Sequence, residues 1–303
     1  MSHYIDEIYQ KIESLNVIHA KKLKKNIASY DENYYRESDD FLLKYNKYLS
    51  RENKTVDYAI TCYLHMIADM TAETIQFLQT EKYRNSTFDE VNKDVYANPE
   101  IMEYHMHGLL LSQFLWKHHY QLFDYFIVNL PQYIPTTKSY LEIGAGHGLY
   151  ISKALEILSK DTTFTVVDIS ETSIALAKNF IDDARVSFHL KNIFDYNQTE
   201  QFDFITMGEV LEHVEQPLDL LVKVKDLLSD NGVLFITTPT NAPSIDHIYL
   251  FNNAAEIREL IDKAGLEIIS ERNFYSEDVS VEKAERFKIT MMYGAFLKRK
   301  TNP

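Results

Sequence analysis

Cysteine is nearly absent: Cys62 is the single one among 303 residues. No intrachain disulfide can form, and neither a disulfide scaffold nor a cysteine-built zinc site is available. Glycine and proline are few, at 8 and 7 residues, with no internal repeat and no low-complexity tract. A long apolar run is missing as well. The longest strongly apolar stretch, Gly108 to Trp116, stops at Lys117-His118-His119, about half of the roughly 20 residues needed to span a bilayer. The first residues, MSHYIDEIYQ, are polar and acidic, without the apolar centre of a signal peptide. Positive charge is in deficit, since 31 Lys and Arg face 45 Asp and Glu for a net charge of −14. Such a field repels phosphate backbones and anionic lipid, and no basic stripe offsets it. A cytoplasmic protein in a reducing compartment is expected, with no membrane partner and with nucleic acid disfavoured.

What is present is ordinary for a folded chain, with 45% apolar and 13% aromatic residues. At roughly 150 residues per domain the length suggests about two domains. The texture changes near Pro131 and Pro135, which divides the chain into residues 1–135 and 136–303. Before that point lie helical patterns: Ile5 to Ile27, Val56 to Leu78 with Ile60, Leu64, Ile67, Thr71, Ile75 and Leu78 on one face, and a segment starting after Pro99. The run Lys21-Lys22-Leu23-Lys24-Lys25 reads as a solvated helix face. After Pro135, strand and helix patterns alternate. Strands are expected at Ser139–Ile143, Thr163–Asp168, Val186–Leu190, Phe202–Met207 and Val233–Thr238, with helices between most of them. Leu266–Phe274 and Ile289–Leu297 follow without a helix between them and predict an antiparallel final pair. Alternating β and α units predict an α/β fold, a doubly wound and mostly parallel sheet, behind an all-helical amino-terminal half.

The chemistry begins at Tyr140-Leu141-Glu142-Ile143-Gly144-Ala145-Gly146-His147-Gly148. A strand runs into closely spaced glycines, where the backbone turns sharply and approaches a ligand without a Cβ in the way. The spacing is G-x-G-x-G, with Leu149 where a dinucleotide site would place its third glycine. Glu142 sits at the carboxyl end of the strand. Facing a pyrophosphate it would meet Coulomb repulsion in a low-dielectric site, whereas a ligand carrying an ammonium and a sulfonium has the opposite sign. A nicotinamide-dependent oxidoreductase is therefore disfavoured. Asp168 ends the second strand, 24 residues after Gly144, close to the roughly 20-residue offset at which an acid reaches ribose hydroxyls.

These residues resemble the class I S-adenosylmethionine-dependent methyltransferases over about Lys138 to Lys298. LEIGAGHG is similar to the family's first motif, VVDIS to its ribose-binding acid, FDFITMGEVLEHV to its fourth strand and DNGVLFITTP to its fifth. The resemblance implies a seven-stranded Rossmann-like sheet and S-adenosylmethionine as cofactor. It places Gly144, Ala145, Gly146 and Gly148 along the methionine part, with Glu142 behind them. Asp168 and Ile169 would hold the ribose and the adenine face. Asn192, in place of the commoner Asp, and Ile193 would contact the adenine, and Gly208 would close the pocket.

Beyond the fourth strand, Glu209, Glu212 and His213 stand at i, i+3 and i+4, a spacing that brings them to one face of a helix. Two carboxylates beside an imidazole suit a divalent cation such as Mg, Mn, Fe or Zn. His247, in the loop after the fifth strand, is the fourth candidate ligand. This set resembles the metal site of small-RNA 2′-O-methyltransferases, and its acid–acid–His part resembles ubiquinone-biosynthesis O-methyltransferases. A bound metal would polarise a chelating oxygen of the substrate. Without one, His213 or His247 would serve as general base, with Glu209 beside them.

Tyr104 and His107, ahead of the apolar run, are the candidate substrate residues of the helical half. That half would form a lid or a homodimer layer, and its position resembles the layout of natural-product enzymes that C-methylate 2-oxo acids. The expected function is O- or C-methylation of a small molecule, for example a 2-oxo acid or a hydroxylated natural-product intermediate. An RNA 2′-O-methyltransferase and a non-catalytic cofactor-binding module are the alternatives.

Overall fold

The computed structural model describes residues 3–197 and 201–300. Seven helices come first: α1 (Tyr4–Leu15), α2 (Val17–Ile27), α3 (Glu32–Arg51), α4 (Val56–Thr80), α5 (Phe88–Val91), α6 (Pro99–Leu115) and α7 (Lys117–Asn129). The expected segment Ile5 to Ile27 is two helices, because Asn16 leaves the helical region and its side chain accepts from the His19 N–H to start α2. Asp31, Thr55 and Asn98 cap α3, α4 and α6 in the same way, the last ahead of Pro99. On α4, Ile60 is buried, but Ile75 and Leu78 face outward. The packed stripe runs instead through Ala59, Tyr63, Met66 and Phe77.

The second half reads β1 (Ser139–Ile143), α8 (Leu149–Ile157), β2 (Thr163–Asp168), α9 (Glu171–Ile181), β3 (Val186–Leu190), β4 (Phe202–Gly208), α10 (Pro217–Leu227), β5 (Leu228–Thr240), α11 (Ala254–Lys263), β6 (Leu266–Tyr275), α12 (Val281–Arg286) and β7 (Met291–Arg299). The strands form one seven-stranded sheet in the order β3-β2-β1-β4-β5-β7-β6. The first five are parallel, and β7 runs antiparallel to both β5 and β6. The doubly wound fold and the antiparallel last pair are as expected; a short helix, α12, lies between β6 and β7.

Strand alternation divides the core between the two faces of the sheet. Leu141, Ile143, Ile205, Met207, Leu234 and Ile236 pack with Leu220, Val224 and Ile257 of α10 and α11. On the other face Tyr140, Phe204, Phe235 and Phe296 form an aromatic row under α7, with Phe126 set 5.0 Å from Phe235. That apolar core continues through α6 and α4 into α3 and α1, so the helical layer and the sheet share it. Among the described residues no helix is long and apolar enough to cross a membrane.

The contact between α7 and the sheet depends on Gly294 of β7. A Cβ there would stand 2.4 Å from Leu122 Cδ1, well inside van der Waals contact. Gly294→Ala should lower stability by about 1–3 kcal/mol as an overpacked core substitution. Combined with Leu122→Ala, its cost should fall well below the sum of the two single changes. Urea-denaturation midpoints of the four proteins measure this, and strict additivity would contradict the packing described.

Candidate active site

A cleft of about 1430 Å³ opens at the carboxyl ends of the parallel strands. Its floor is the glycine loop after β1 with the ends of β2 and β4, and its roof is built by α2, α4 and α6. In the loop, Gly144, Gly146 and Gly148 have φ of 69°, 50° and 75°, a left-handed conformation that side chains resist. A Cβ on Gly144 would stand 2.7 Å from Val210 Cγ2, and one on Gly146 would stand 3.4 Å from Met106 Sδ. The loop therefore lies tight against the fourth-strand exit on one side and against α6 on the other.

Glu142, Gly144, Ala145, Gly146, Asp168, Ile169, Asn192, Ile193 and Gly208 all line this cleft. Gly148 does not. It caps α8, and a Cβ there would stand 3.1 Å from that of Ala177 on α9. The Asp168 carboxylate accepts from the Gly146 N–H at 3.2 Å and the Ser170 N–H at 2.8 Å. Burial pushes its carboxyl up while those N–H donors pull it down, and burial prevails. Ile169 is exposed as a lip of the cleft. Asn192 spends one lone pair on the Phe194 N–H at 3.0 Å, which fixes the turn carrying Ile193. Glu142 is buried, with the Tyr140 hydroxyl 2.8 Å from its Oε2. Burial pushes its carboxyl up to about 8, partly opposed by that hydrogen bond. Before a ligand arrives it is therefore mainly protonated at neutral pH, and a cation beside it would ionise it.

The segment after β4 departs from expectation. Glu209 takes a left-handed φ of 54°, and only Leu211–His213 forms a single tight turn. Glu209, Glu212 and His213 consequently do not share a helix face. The Glu209 carboxylate turns to β5, accepting from the Thr237 hydroxyl at 2.7 Å. It stays on the cleft wall, where burial raises its carboxyl, but it is not one of the three converging ligand atoms.

Those three come from Glu212, His213 and His247, whose ligand atoms lie within 4.8 Å of one another. Glu212 is fully buried. Its Oε2 accepts from the Thr238 hydroxyl at 2.9 Å, whereas Oε1 has no hydrogen-bond partner. The His213 Nε2 is 3.6 Å from that oxygen and the His247 Nε2 is 4.0 Å away. Both rings are anchored through their other nitrogen: His247 Nδ1 lies 2.6 Å from the Ala242 carbonyl, and His213 Nδ1 lies 2.9 Å from the Asp246 carbonyl. A carbonyl accepts only, so Nδ1 carries a proton in each ring, and Nε2 is the nitrogen that each ring turns toward Glu212. Two ring nitrogens and an unpaired carboxyl oxygen around one point form an arrangement that could hold a cation.

Tyr104 and His107 do not line the cleft. Tyr104 donates to Asp69 at 2.6 Å and stacks on His65, facing α4. His107 is buried with its Nδ1 2.6 Å from the Tyr45 hydroxyl. The cleft side of α6 carries Met102, His105, Met106, Leu109 and Gln113 instead. Sequence reasoning missed His105, which lies between the two candidates on α6, and Tyr96, whose hydroxyl lies 2.9 Å from His213 Nδ1. The lysine run is a helix face, with Leu23 buried. Yet Lys21, Lys22 and Lys25 stand on the cleft rim, and Lys22 and Lys25 face Glu277 and Asp278 at 3.8 Å.

Residues 115–271 match a family described as a methyltransferase domain. A ubiquinone biosynthesis O-methyltransferase of Actinobacillus pleuropneumoniae serotype 5b is 33% identical over 109 residues, 33% of this chain and 45% of that protein. A mitochondrial ubiquinone biosynthesis O-methyltransferase of Candida albicans is 34% identical over 104 residues, 32% of this chain and 31% of that protein. The chain thus spans less than half the length of these curated relatives. Among solved structures, mitomycin 7-O-methyltransferase superposes with a TM-score of 0.52 at 10% identity, covering 76% of this chain and 67% of that one, a likeness of fold. With a family match over half of its residues, the chain belongs to the methyltransferase-domain family of class I S-adenosylmethionine-dependent enzymes.

Proposed function

We propose that this chain transfers a methyl group from S-adenosylmethionine to a small molecule, and that Glu212, His213 and His247 hold a divalent cation beside the acceptor. The observation that carries the reading is one roofed cleft with the glycine loop, Glu142 and Asp168 on its floor and His213 and His247 on its wall, with Glu212 buried behind the two imidazoles. The O-methyltransferase names of the curated relatives favour oxygen as the acceptor atom. When bound, the cofactor would supply a methyl already activated on a sulfonium, and a cation held by Glu212, His213 and His247 would supply polarisation of an acceptor oxygen. The protein's part is position and sign. Glu142 ionises against the cationic part of the cofactor, Asp168 takes hydroxyls, and the loop glycines let the backbone come close. Met106 of α6 closes against Gly146 and bounds the cleft beside the loop, and holding the acceptor in line with the methyl within that cleft is where the rate gain of positioning arises. Glu209, on the wall with its carboxyl raised by burial, is the group suited to take the acceptor's proton near neutral pH. The trio alone would also suit an RNA 2′-hydroxyl, but a net charge of −14 and the roof of helices oppose a phosphate backbone.

Elemental analysis of the purified protein should find a divalent metal near one equivalent, and a chelator should abolish turnover. Glu212→Gln should lose the metal while keeping its affinity for S-adenosylhomocysteine. Full activity of metal-free protein would remove the cation from the proposal and leave a histidine as base.

Cofactor binding should also depend on pH through Glu142. The bound state favours the ionised carboxyl, so binding releases a proton below its free value of about 8. Affinity for S-adenosylmethionine should therefore rise from about pH 6 to about pH 8, by at most about tenfold per unit, and then level off. Glu142→Gln should flatten that profile. Calorimetric titration across the range decides, and a flat wild-type profile would contradict the role given to Glu142.

A further inference from the structure

The trio does not stand alone. Asp246, buried at 4% exposure, lies directly behind it. Its Oδ1 accepts from the Ser244 hydroxyl at 2.6 Å, which fixes the carboxylate. Its Oδ2 then faces two imidazoles: His213 Nδ1 at 3.7 Å and, from α6, His105 Nε2 at 3.6 Å. His105 is itself buried at 1% exposure, and its Nδ1 has no hydrogen-bond partner. A buried imidazole with one nitrogen unpaired is costly, and its other nitrogen faces Asp246. From the turn before α6, the Tyr96 hydroxyl adds a contact to His213 Nδ1 at 2.9 Å.

We propose that Asp246, together with His105 and Tyr96 of the helical half, forms an outer shell that positions His213 as a cation ligand. This inference rests on the cation site proposed above and deepens it. The physical reason is charge and tautomer. A fixed negative charge beside Nδ1–H keeps the proton on that nitrogen and makes Nε2 a better electron-pair donor. The Asp246 backbone carbonyl, 2.9 Å from the same Nδ1, fixes the plane of the ring. The neutral His105 ring shields the far side of the carboxylate from water and offers it an N–H. All three residues act through His213, so they are positioning residues. The helical layer is thereby part of the metal centre, for two of its side chains complete a site whose ligands all come from the sheet half.

Cobalt(II) is the probe, because its visible absorption reports ligand geometry independently of turnover. The full-length protein should take up Co²⁺, and Asp246→Asn, which preserves shape and removes charge, should weaken that affinity by about 10–100-fold, the range expected for outer-shell partners of metal ligands. His105→Phe and Tyr96→Phe should shift the Co²⁺ absorption bands and weaken binding less. Affinity for S-adenosylhomocysteine should stay within about twofold in all three variants, since none touches the glycine loop. A variant that has merely misfolded would lose both ligands, and Asp246→Glu, which restores the charge, should recover part of the Co²⁺ affinity. Unchanged Co²⁺ affinity and spectrum in Asp246→Asn overturn the inference while leaving the trio intact. Wild-type protein that binds S-adenosylhomocysteine and takes up no Co²⁺ overturns the cation site and this shell with it.

Discussion

A carboxyl group removed from water must find a proton, a donor or a cation, and this chain withdraws four of them around one cleft. Glu142, Asp168, Glu212 and Asp246 are all buried, and Glu209 stands on the wall between them. The arrangement is unfavourable in isolation, because each charge is desolvated and several are close enough to repel one another. The chain meets the difficulty differently at each position. Backbone N–H groups serve Asp168, the Tyr140 hydroxyl and a retained proton serve Glu142, and Thr238 serves half of Glu212. Imidazoles surround Asp246. What is left over, the ionisation of Glu142 and the free Oε1 of Glu212, is the sign complementarity that a cationic methyl donor and a divalent ion would meet.

That burial is the work of the helical half. The carboxyl ends of the strands would otherwise open to solvent, as they must in a sheet whose helices cover only its two faces. Here α6 lies across them, with Met106 against the glycine loop and His105 against Asp246. It is held by α4 behind it, and α7, which follows it, docks on β6 and β7 through the contact at Gly294. The aromatic row of Phe126, Phe204, Phe235 and Phe296 therefore bears on the chemistry as well as on stability, because it fixes the element from which the roof is hung.

The sheet was legible because its signals are local. Each parallel strand is a short apolar run, the glycine loop needs positive φ at three closely spaced positions, and Asp168 follows at a telling offset. The trio was legible in composition and wrong in geometry. Helical spacing placed Glu209 with Glu212 and His213, but the chain leaves β4 through a left-handed residue, and one such residue is enough to redirect a side chain onto β5. His247 could be found because both loops leave the same end of the sheet. The choice of Tyr104 and His107 failed for a different reason. α6 is buried on nearly every face, so it carries no polar stripe from which the cleft side could be read. α3 shows a weak apolar pattern for a related reason, since three of its seven buried residues are tyrosines, at 34, 45 and 48.

The charge distribution adds a last constraint on what enters. The interior of the cleft is acidic, whereas its rim along α2 is basic, with Lys22 and Lys25 opposite Glu277 and Asp278 at 3.8 Å. Exposed pairs of that length contribute little to stability. Their effect is on the field, for they offset part of the positive charge that α2 brings to the entrance. A strongly anionic acceptor would have to break these contacts and then approach buried carboxylates, opposed at both stages. An uncharged acceptor with an apolar body meets Met102, Leu109, Leu122 and Met292 and encounters polarity where the trio stands. On the reading proposed above, size and hydropathy would select at the roof, and the acceptor oxygen would be met at the wall.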